Sequence, residues 1–487
     1  MSFKKYIAGF AMSILLLAGV PEAAAASGIQ NETIYRILVD RFNNGTPAND
    51  GDANVNDPND FHGGDLKGVT NKLDLIESLG MTTIILSPIM KNAKRGYHGY
   101  WTEDFTKIDP HFGNKQDWKD LVEKAHKKNI KVILEFAPSY IAKSNAIAKD
   151  PKKSIWFKAE TPKGREKWKD QTFALDLDNP EAAQMLKMAG GQWIEDGADG
   201  FLIHDASSVS QKFLKEFARE MKKKKPESYI LADNTSGAGK TLKDLPGIDA
   251  VLDESVSRQF DQSFGKLSGH LPDKAFKENT ILHIDGPEQE RFGQIAGENG
   301  RNAATAWRLA LAYMYTAPGV PMIFQGSELP MYGKKLSEVQ QLVNFNSGDP
   351  DLKEDFERLG ALRKQFKVLQ TGKFELISNK DSMYVFKRWD EKDIIYVAIN
   401  NDKRSHAAVI KDLEEGRQLK GLIGDNLVRA DENSDYTLTL PRETAEIYVV
   451  SEDKGINWAL IIFIIGVMVV FVGAIIILSR KQKRHAS

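Results

Sequence analysis

Short apolar runs rich in β-branched residues recur along the chain, and each is followed by a segment of helix length that mixes polar and apolar residues. Strands that alternate with helices predict parallel βαβ units. Eight such units fit a (β/α)8 TIM barrel, and a doubly wound open sheet is the alternative that periodicity leaves open. The predicted strands are Thr33–Val39, Thr83–Ser87, Lys131–Phe136, Gly200–His204, Tyr229–Ala232, Ala250–Asp253, Thr280–Asp285 and Val320–Gln325.

Two stretches depart from this pattern. The segment 138–179 is too long and too polar for a simple connection, so we expect a small domain inserted after the third strand. After residue 367, alternating strands follow one another without helices, at Ser382–Lys387, Ile394–Asn400 and Glu446–Val450. The predicted fold class is therefore α/β, with a barrel over residues 28–366 and a C-terminal antiparallel β domain over 367–451.

The two ends of the chain predict where the protein is located. Residues 1–26 combine a basic start, an apolar run and an alanine-rich end, the order typical of a secretory signal peptide. Residues 457–478 are apolar over a length that can cross a bilayer, and the basic tail 479–487 is of the kind that stays cytoplasmic. We therefore expect an exported protein with an extracellular body, held at the cell membrane by one C-terminal helix.

Composition removes two classes of function. The chain has 66 Lys and Arg against 67 Asp and Glu, and this balanced charge argues against a nucleic-acid partner. It has no cysteine, which excludes disulfides and thiolate metal sites.

Several segments have specific and unusual patterns. They are Y-R-I-L-V-D-R-F from Tyr35, F-H-G-G-D-L-K-G-V from Phe61, G-Y-H-G-Y-W-T-E-D-F-T-K-I-D-P-H-F-G from Gly96, E-R-F from Glu290 and P-G-V-P-M-I-F-Q-G-S-E from Pro318. These segments resemble the α-amylase family, glycoside hydrolase family 13, and the resemblance extends over about residues 30–450. It implies action on α-glucans with retention, at the C-terminal ends of the barrel strands.

The resemblance also implies an altered set of catalytic residues. Retaining hydrolysis needs a carboxylate nucleophile and a protonated acid about 5–5.5 Å apart. In G-F-L-I-H-D, the family's arginine position holds Leu202 and its nucleophile position holds His204, followed by Asp205. The general acid falls at Asp233 and the third carboxylate at Glu288. The expected catalytic residues are thus His204, Asp205, Asp233 and Glu288.

The substrate-binding part of the resemblance is better preserved. The aromatic platform of the family matches Tyr100, and its neighbours His98 and Trp101 match as well. The family's first histidine, however, falls at Tyr140, and its second is lost at Pro287.

Two functions compete on these residues. Carboxylates at or beside all three acidic positions favour an α-amylase-like hydrolase of α-1,4-glucans with an altered triad and low activity. The alternative is a catalytically dead, membrane-tethered protein that binds α-glucan or supports a membrane partner. Strand alternation favours the second, because Asp205 would face the helices if His204 faces the barrel mouth. Only a bulge or an early end of the strand would turn Asp205 inward.

A polar loop near the start of the barrel resembles a calcium site of the cyclodextrin-forming branch of the family. Its side-chain and backbone oxygens are the hard donors that Ca²⁺ prefers. The expected ligands of a structural calcium ion are Asn44, Thr46, Asn49, Asp50, Gly63 and Asp65.

Overall fold

A computed structural model describes residues 28–159, 167–234, 242–267, 269–272, 276–453, 455 and 458–485. The expected signal peptide, residues 1–26, lies outside the described residues. Eight parallel strands form a closed barrel in which each strand pairs with its neighbours in chain order and the first also pairs with the eighth. The closed ring confirms the predicted barrel and excludes the open doubly wound sheet.

All eight predicted barrel strands are present. Their bounds are Ile34–Ile37, Thr83–Leu86, Lys131–Phe136, Gly200–Ile203, Tyr229–Asn234, Ala250–Asp253, Thr280–Leu282 and Val320–Phe324. The fourth strand ends at Ile203, one residue earlier than predicted, and the fifth extends to Asn234. Both differences fall at the C-terminal end of the barrel, where the candidate site lies.

Helices pack around this barrel. The helix Lys115–Lys127 shows why they form, because Asn114 and Asp117 make a capping box at its start. Its buried residues recur every three or four positions, which gives one apolar face toward the barrel. The helices up to the C-terminal domain are Leu66–Asn71, Leu73–Ser78, Lys115–Lys127, Ala146–Lys149, Pro180–Glu195, Gln211–Lys224, Glu254–Phe264, Phe292–Glu298, Ala303–Thr316, Leu336–Val339, Pro350–Gln365 and Val368–Thr371.

Two apolar rows fill the lower part of the barrel interior. Their members are Ile34, Ile133, Leu231 and Ile281 on the odd-numbered strands and Ile85, Leu202, Leu252 and Met322 on the even-numbered strands. Side chains two residues apart on a strand share a face, so the next interior row on the odd-numbered strands is polar. Its members are Arg36, Glu135, Asp233 and His283, all buried. The charged site therefore lies directly next to an apolar layer of the barrel interior.

The segment after the third strand contains a small antiparallel pair, Tyr140–Ala142 with Thr172–Ala174. One helix and two 3-10 turns, Pro151–Trp156 and Lys167–Gln171, lie between or beside these strands. A second antiparallel pair, Met90–Asn92 with Thr102–Ile108, follows the second barrel strand. Both pairs belong to connections that leave the C-terminal end of the barrel.

The C-terminal region is an antiparallel β domain, as predicted. Its sheet of six strands runs in the order Lys373–Lys380, Met383–Trp389, Ile394–Asn400, Thr444–Glu452, Arg417–Gly421 and Leu427–Arg429. A separate pair joins His406–Ile410 to Tyr436–Leu440. Three of these strands were predicted, and Tyr436–Leu440 was missed although its apolar residues alternate as in a half-buried strand.

The chain ends in the helix Trp458–His485. Among all helices in the described ranges, none combines the length and the apolar character needed to cross a membrane. The prediction of a single-pass anchor at 457–478, with its cell-membrane localisation, extracellular body and cytoplasmic tail at 479–487, is contradicted by this finding.

Candidate active site

Glu135, on the third barrel strand, is the centre of a buried polar network. Its Oε2 accepts a hydrogen bond from Arg36 Nη2 at 2.8 Å. Its Oε1 accepts one from the Tyr100 hydroxyl at 2.8 Å and lies 3.0 Å from His204 Nδ1. None of the four side chains belongs to a residue more than 5% exposed, so the network is shielded from water. Charges that are buried this deeply depend on one another for compensation.

The network fixes the protonation states of its members. Burial raises the pKa of Glu135, but the charge of Arg36 and the hydrogen bond from His204 outweigh it and lower the pKa to about 2. Burial lowers the pKa of His204, but its hydrogen bond and charge interaction with Glu135 outweigh this and raise the pKa to about 9. At neutral pH Glu135 is therefore a carboxylate and His204 an imidazolium.

Asp233, at the expected general-acid position, lies beside this network. Its Oδ2 is 3.6 Å from Arg36 Nη2, whereas its buried Oδ1 has no hydrogen-bond partner among the described residues. Burial raises the pKa of Asp233 to about 6, although Arg36 and His204 oppose the shift. A carboxyl group with this pKa keeps part of its proton near neutral pH, as a general acid must.

His204, at the position expected for the nucleophile, is buried. Its ring stacks on Tyr100 at a centroid distance of 4.3 Å and an interplanar angle of 26°. Its Nε2 has no hydrogen-bond partner among the described residues. The position expected for the nucleophile therefore holds a cation that stacks on the expected aromatic platform.

Asp205 does not face the helices as regular alternation would require. The strand ends at Ile203, and Asp205 adopts a left-handed conformation with φ of 46°, which aspartate tolerates better than most residues. Its Oδ2 accepts hydrogen bonds from the Tyr140 hydroxyl at 2.9 Å and from Lys169 Nζ at 3.1 Å. The early strand end therefore turns Asp205 toward the inserted segment.

Asp205 is electrostatically part of the same site. Burial raises the pKa of Asp205, but the charges of Lys169 and His204 outweigh it and hold the pKa below its usual range. The Asp205 charge in turn helps to raise the pKa of Asp233. The site thus contains one ionised and one partly protonated aspartate.

The inserted segment covers the platform. The Trp168 ring lies 4.8 Å from the Tyr100 ring and 5.2 Å from the Tyr140 ring, measured between centroids. The Trp168 carbonyl accepts a hydrogen bond from Trp101 Nε1 at 2.7 Å. Tyr100 is only 5% exposed. Trp168 therefore contributes to the burial of the Tyr100 ring.

His98 and Glu288 occupy different parts of the site. His98 Nδ1 accepts the backbone N–H of Tyr100 at 3.0 Å, and burial lowers the pKa of His98 to about 3, so its ring is neutral. It positions the platform. Glu288 is exposed on the turn after the seventh strand, and its charge helps to raise the pKa of His204. The third expected carboxylate therefore lies at the rim of the site.

The sequence interpretation missed Arg36, Glu135, Trp168 and Lys169. The signal for the first two was the two-residue alternation, because Arg36 shares its face with Ile34 and Glu135 shares its face with Ile133. Trp168 and Lys169 come from an irregular turn, where no periodicity indicates direction.

Glu135, His204 and Asp233 each bring one ligand-type atom within 4.8 Å of the other two. A metal ion can occupy such a cluster, but here Arg36 already supplies a positive charge to both carboxyl groups. We therefore regard this cluster as an ion-pair network and not as a metal site.

The expected calcium residues do come together. Asn44 Nδ2 donates to Asp50 Oδ1 at 2.9 Å, and a Cβ on Gly63 would lie 2.6 Å from Asn44 Nδ2. Thr46 precedes the 3-10 turn Pro47–Asn49. Three buried oxygens in this loop have no hydrogen-bond partner among the described residues, namely Asn44 Oδ1, Asn49 Oδ1 and Asp65 Oδ2. Buried oxygens without a partner are costly, and oxygens of this kind are the donors that a hard cation prefers.

Comparisons with known proteins agree with this architecture. Residues 36–172 match the family model "Alpha amylase, catalytic domain", and residues 372–448 match "Alpha-amylase C-terminal domain". An Anoxybacillus α-amylase of known crystal structure has 34% sequence identity with this chain and a TM-score of 0.83. The match covers 88% of this chain and 100% of the Anoxybacillus chain. The α-amylase of Geobacillus thermoleovorans, solved with acarbose, is 35% identical with a TM-score of 0.82 and the same coverage. The chain belongs to the α-amylase family.

Sequence relatives are more distant. The β/α-amylase of Paenibacillus polymyxa is 29% identical over 460 residues, and the match covers 86% of this chain but only 38% of that protein. A cyclomaltodextrinase from a Bacillus species is 28% identical, covering 78% of this chain and 74% of that protein. The chain therefore spans well under half of the first relative and about three quarters of the second.

Proposed function

We propose that this protein is an amylase-like glycoside hydrolase that acts on α-1,4-glucans through a rearranged set of acidic residues, and that its turnover is slow. One observation carries the proposal: the environments of two carboxyl groups at the same end of the barrel push their pKa values apart. Asp233 has a pKa raised to about 6, and Asp205 has a pKa held below its usual range. A proton donor and an ionised group are what a retaining glycosidase needs, and this pair supports that assignment of roles.

The roles follow from these charge states. Asp233 donates its proton to the glycosidic oxygen while the Asp205 carboxylate attacks the anomeric carbon, so the glycosidic bond breaks and a glycosyl ester forms. Asp233 then takes a proton from water, whose oxygen displaces Asp205. Glu288 faces the solvent side of this reaction, and Tyr100 supports the sugar ring once Trp168 has moved.

His204 explains why turnover should be slow. The transition state of glycoside hydrolysis resembles an oxocarbenium ion, so positive charge develops at the anomeric carbon. The imidazolium of His204 occupies the position where the family has a carboxylate, and it opposes that charge. The hydrogen bond to Glu135 offsets this effect only in part, because Glu135 also pairs with Arg36.

A second candidate function is α-glucan binding without turnover. The imidazolium of His204 and the enclosure of Tyr100 favour it, since both oppose hydrolysis and neither prevents recognition after Trp168 moves.

The test uses the purified full-length chain with soluble starch and maltoheptaose. Release of reducing ends is expected from the parent chain and is lost, by at least a hundredfold, in both Asp233→Asn and Asp205→Asn. Asp120→Asn, at a half-buried aspartate on the helix Lys115–Lys127, is the matched control and keeps the parent rate. Absence of turnover together with saturable maltoheptaose binding would instead support the second candidate.

We also propose a structural calcium ion at the loop described above. Asn44, Asn49 and Asp65 supply the unpaired oxygens, and Thr46, Asp50 and the Gly63 carbonyl complete the donor set. The ion would hold the connection after the first barrel strand and has no part in the chemistry. Burial raises the pKa of Asp65, which is the effect that a nearby cation would relieve.

A further inference from the structure

We infer that Arg36, on the first barrel strand, is a positioning residue that supplies the buried cation for which this family uses an arginine on the fourth strand. The inference deepens the proposed function, on which its activity measurement rests. Leu202 occupies the arginine position here and lies fully buried in the apolar rows of the barrel. The guanidinium has therefore moved from one strand of the barrel to another while the site has kept one.

The geometry of Arg36 supports this exchange. Its Nη2 reaches Glu135 Oε2 at 2.8 Å and Asp233 Oδ2 at 3.6 Å, so one guanidinium serves two carboxyl groups on the third and fifth strands. Arg36 and Leu202 belong to strands on different sides of the barrel, yet both side chains face its interior. Protein interiors are close-packed, so a second guanidinium introduced at position 202 would need space that the present side chains fill.

Arg36 acts through the residues that it contacts. It keeps Glu135 ionised, and the ionised Glu135 holds both the Tyr100 hydroxyl and His204 in place. It also opposes the effect of burial on Asp233, so that the acid can still lose its proton near neutral pH. Without a cation, two buried carboxyl groups would share only His204 as compensation.

Leucine at position 202 does not leave the site without a cation, because Arg36 on the first strand supplies one. A lone positive charge at position 36 without acidic neighbours would be a costly buried defect, whereas here its charge partners are Glu135 and Asp233.

The test is a double-mutant cycle between positions 36 and 202 in the full-length chain. The variants are Arg36→Gln, Leu202→Arg and the double variant, with Leu202→Met as a size-matched control. We expect each of the first two to lower the melting temperature, one by removing the cation and the other by adding a second one. We expect the double variant to recover most of that loss, whereas Leu202→Met stays close to the parent.

Two further readouts separate positioning from simple stability. The carboxyl titration of Asp233, followed by ¹³C NMR, should move to higher pH in Arg36→Gln and return toward the parent value in the double variant. Turnover of maltoheptaose should fall at least tenfold in Arg36→Gln and should recover in the double variant. If Arg36→Gln does not fold, Arg36→Lys is used in its place. We then expect the Asp233 titration to shift in the same direction by a smaller amount.

The double-mutant cycle can succeed or fail independently of the hydrolysis test of the proposed function. Melting and titration need no turnover, so recovery of both in the double variant supports the inference even for a chain that does not hydrolyse glucans. Additive losses of melting temperature in the double variant, or an Asp233 titration that is the same in Arg36→Gln and the parent, would overturn it.

Discussion

At the residue scale, the unusual feature is that charge has been redistributed among neighbours. The position expected for the nucleophile carries a histidine, yet an ionised carboxylate, Glu135, lies 3.0 Å from it on the neighbouring strand. The position expected for the arginine carries a leucine, yet a guanidinium from the first strand pairs with Glu135. A comparison with the family, position by position, therefore suggests that more charged groups have been lost than the buried network shows.

The pH dependence of turnover belongs to this scale. We expect kcat/KM to fall as the pH rises through about 6, because Asp233 then loses the proton that it must donate. Towards acidic pH the rate is kept until Asp205 is protonated, which happens below the usual range for an aspartate. The measurement is a pH–rate profile with maltoheptaose between pH 4 and 8, a range centred on the pKa of Asp233. A flat profile would contradict the prediction.

At the scale of elements, the strands of the barrel were predictable and their exact ends were not. Runs such as Lys131–Phe136 mark a buried parallel strand because most of their side chains are apolar on both faces, with Glu135 as the buried polar exception. The end at Ile203 was not predictable, because Asp205 leaves the extended region in response to Tyr140 and Lys169, which are distant in sequence. Regular alternation therefore gave the wrong direction for the residue on which the proposed mechanism depends.

The cover over the platform is the element whose role can be tested separately. Because Trp168 packs on Tyr100 and must move before a sugar can bind, part of the binding free energy goes into opening. We expect Trp168→Ala to bind acarbose about threefold to tenfold more tightly in calorimetry, a range set by the penalty that a closed majority state imposes on apparent affinity.

The control for this prediction is Phe173→Ala. Phe173 lies on the same inserted segment, but its side chain is exposed and its ring packs against Phe157. It should leave the affinity for acarbose unchanged. Weaker binding in Trp168→Ala would show that Trp168 is a wall of the binding site and not its cover.

At the scale of the whole molecule, the barrel and the C-terminal domain follow the family closely, and the sequence was enough to predict both. Long segments such as the one from Gly96 identify the family, and the closed barrel agrees with them. The charge network was not predictable in the same way, because Arg36 and Glu135 are far apart in the chain and meet only after the barrel closes.

Calcium should act on the stability of the whole fold. A ligand at about a hundred times its dissociation constant stabilises the native state by about 2.7 kcal/mol. We therefore expect millimolar Ca²⁺ to raise the melting temperature and chelation to lower it, and Asp65→Asn to abolish the difference because it removes a charged donor. Asp120→Asn should retain the difference, and equal melting with calcium and with chelator in the parent chain would contradict the proposal.

The central claim is that the rearranged acids still hydrolyse α-glucans, and the most direct measurement is the anomeric form of the first products. Maltoheptaose would be incubated with the parent chain and with Asp233→Asn, and the anomeric protons followed by NMR. The account predicts slow release of α-anomers by the parent chain and none by Asp233→Asn, because the reaction proceeds with retention through that acid. Release of β-anomers, or α-anomers at equal rates from both chains, would contradict it.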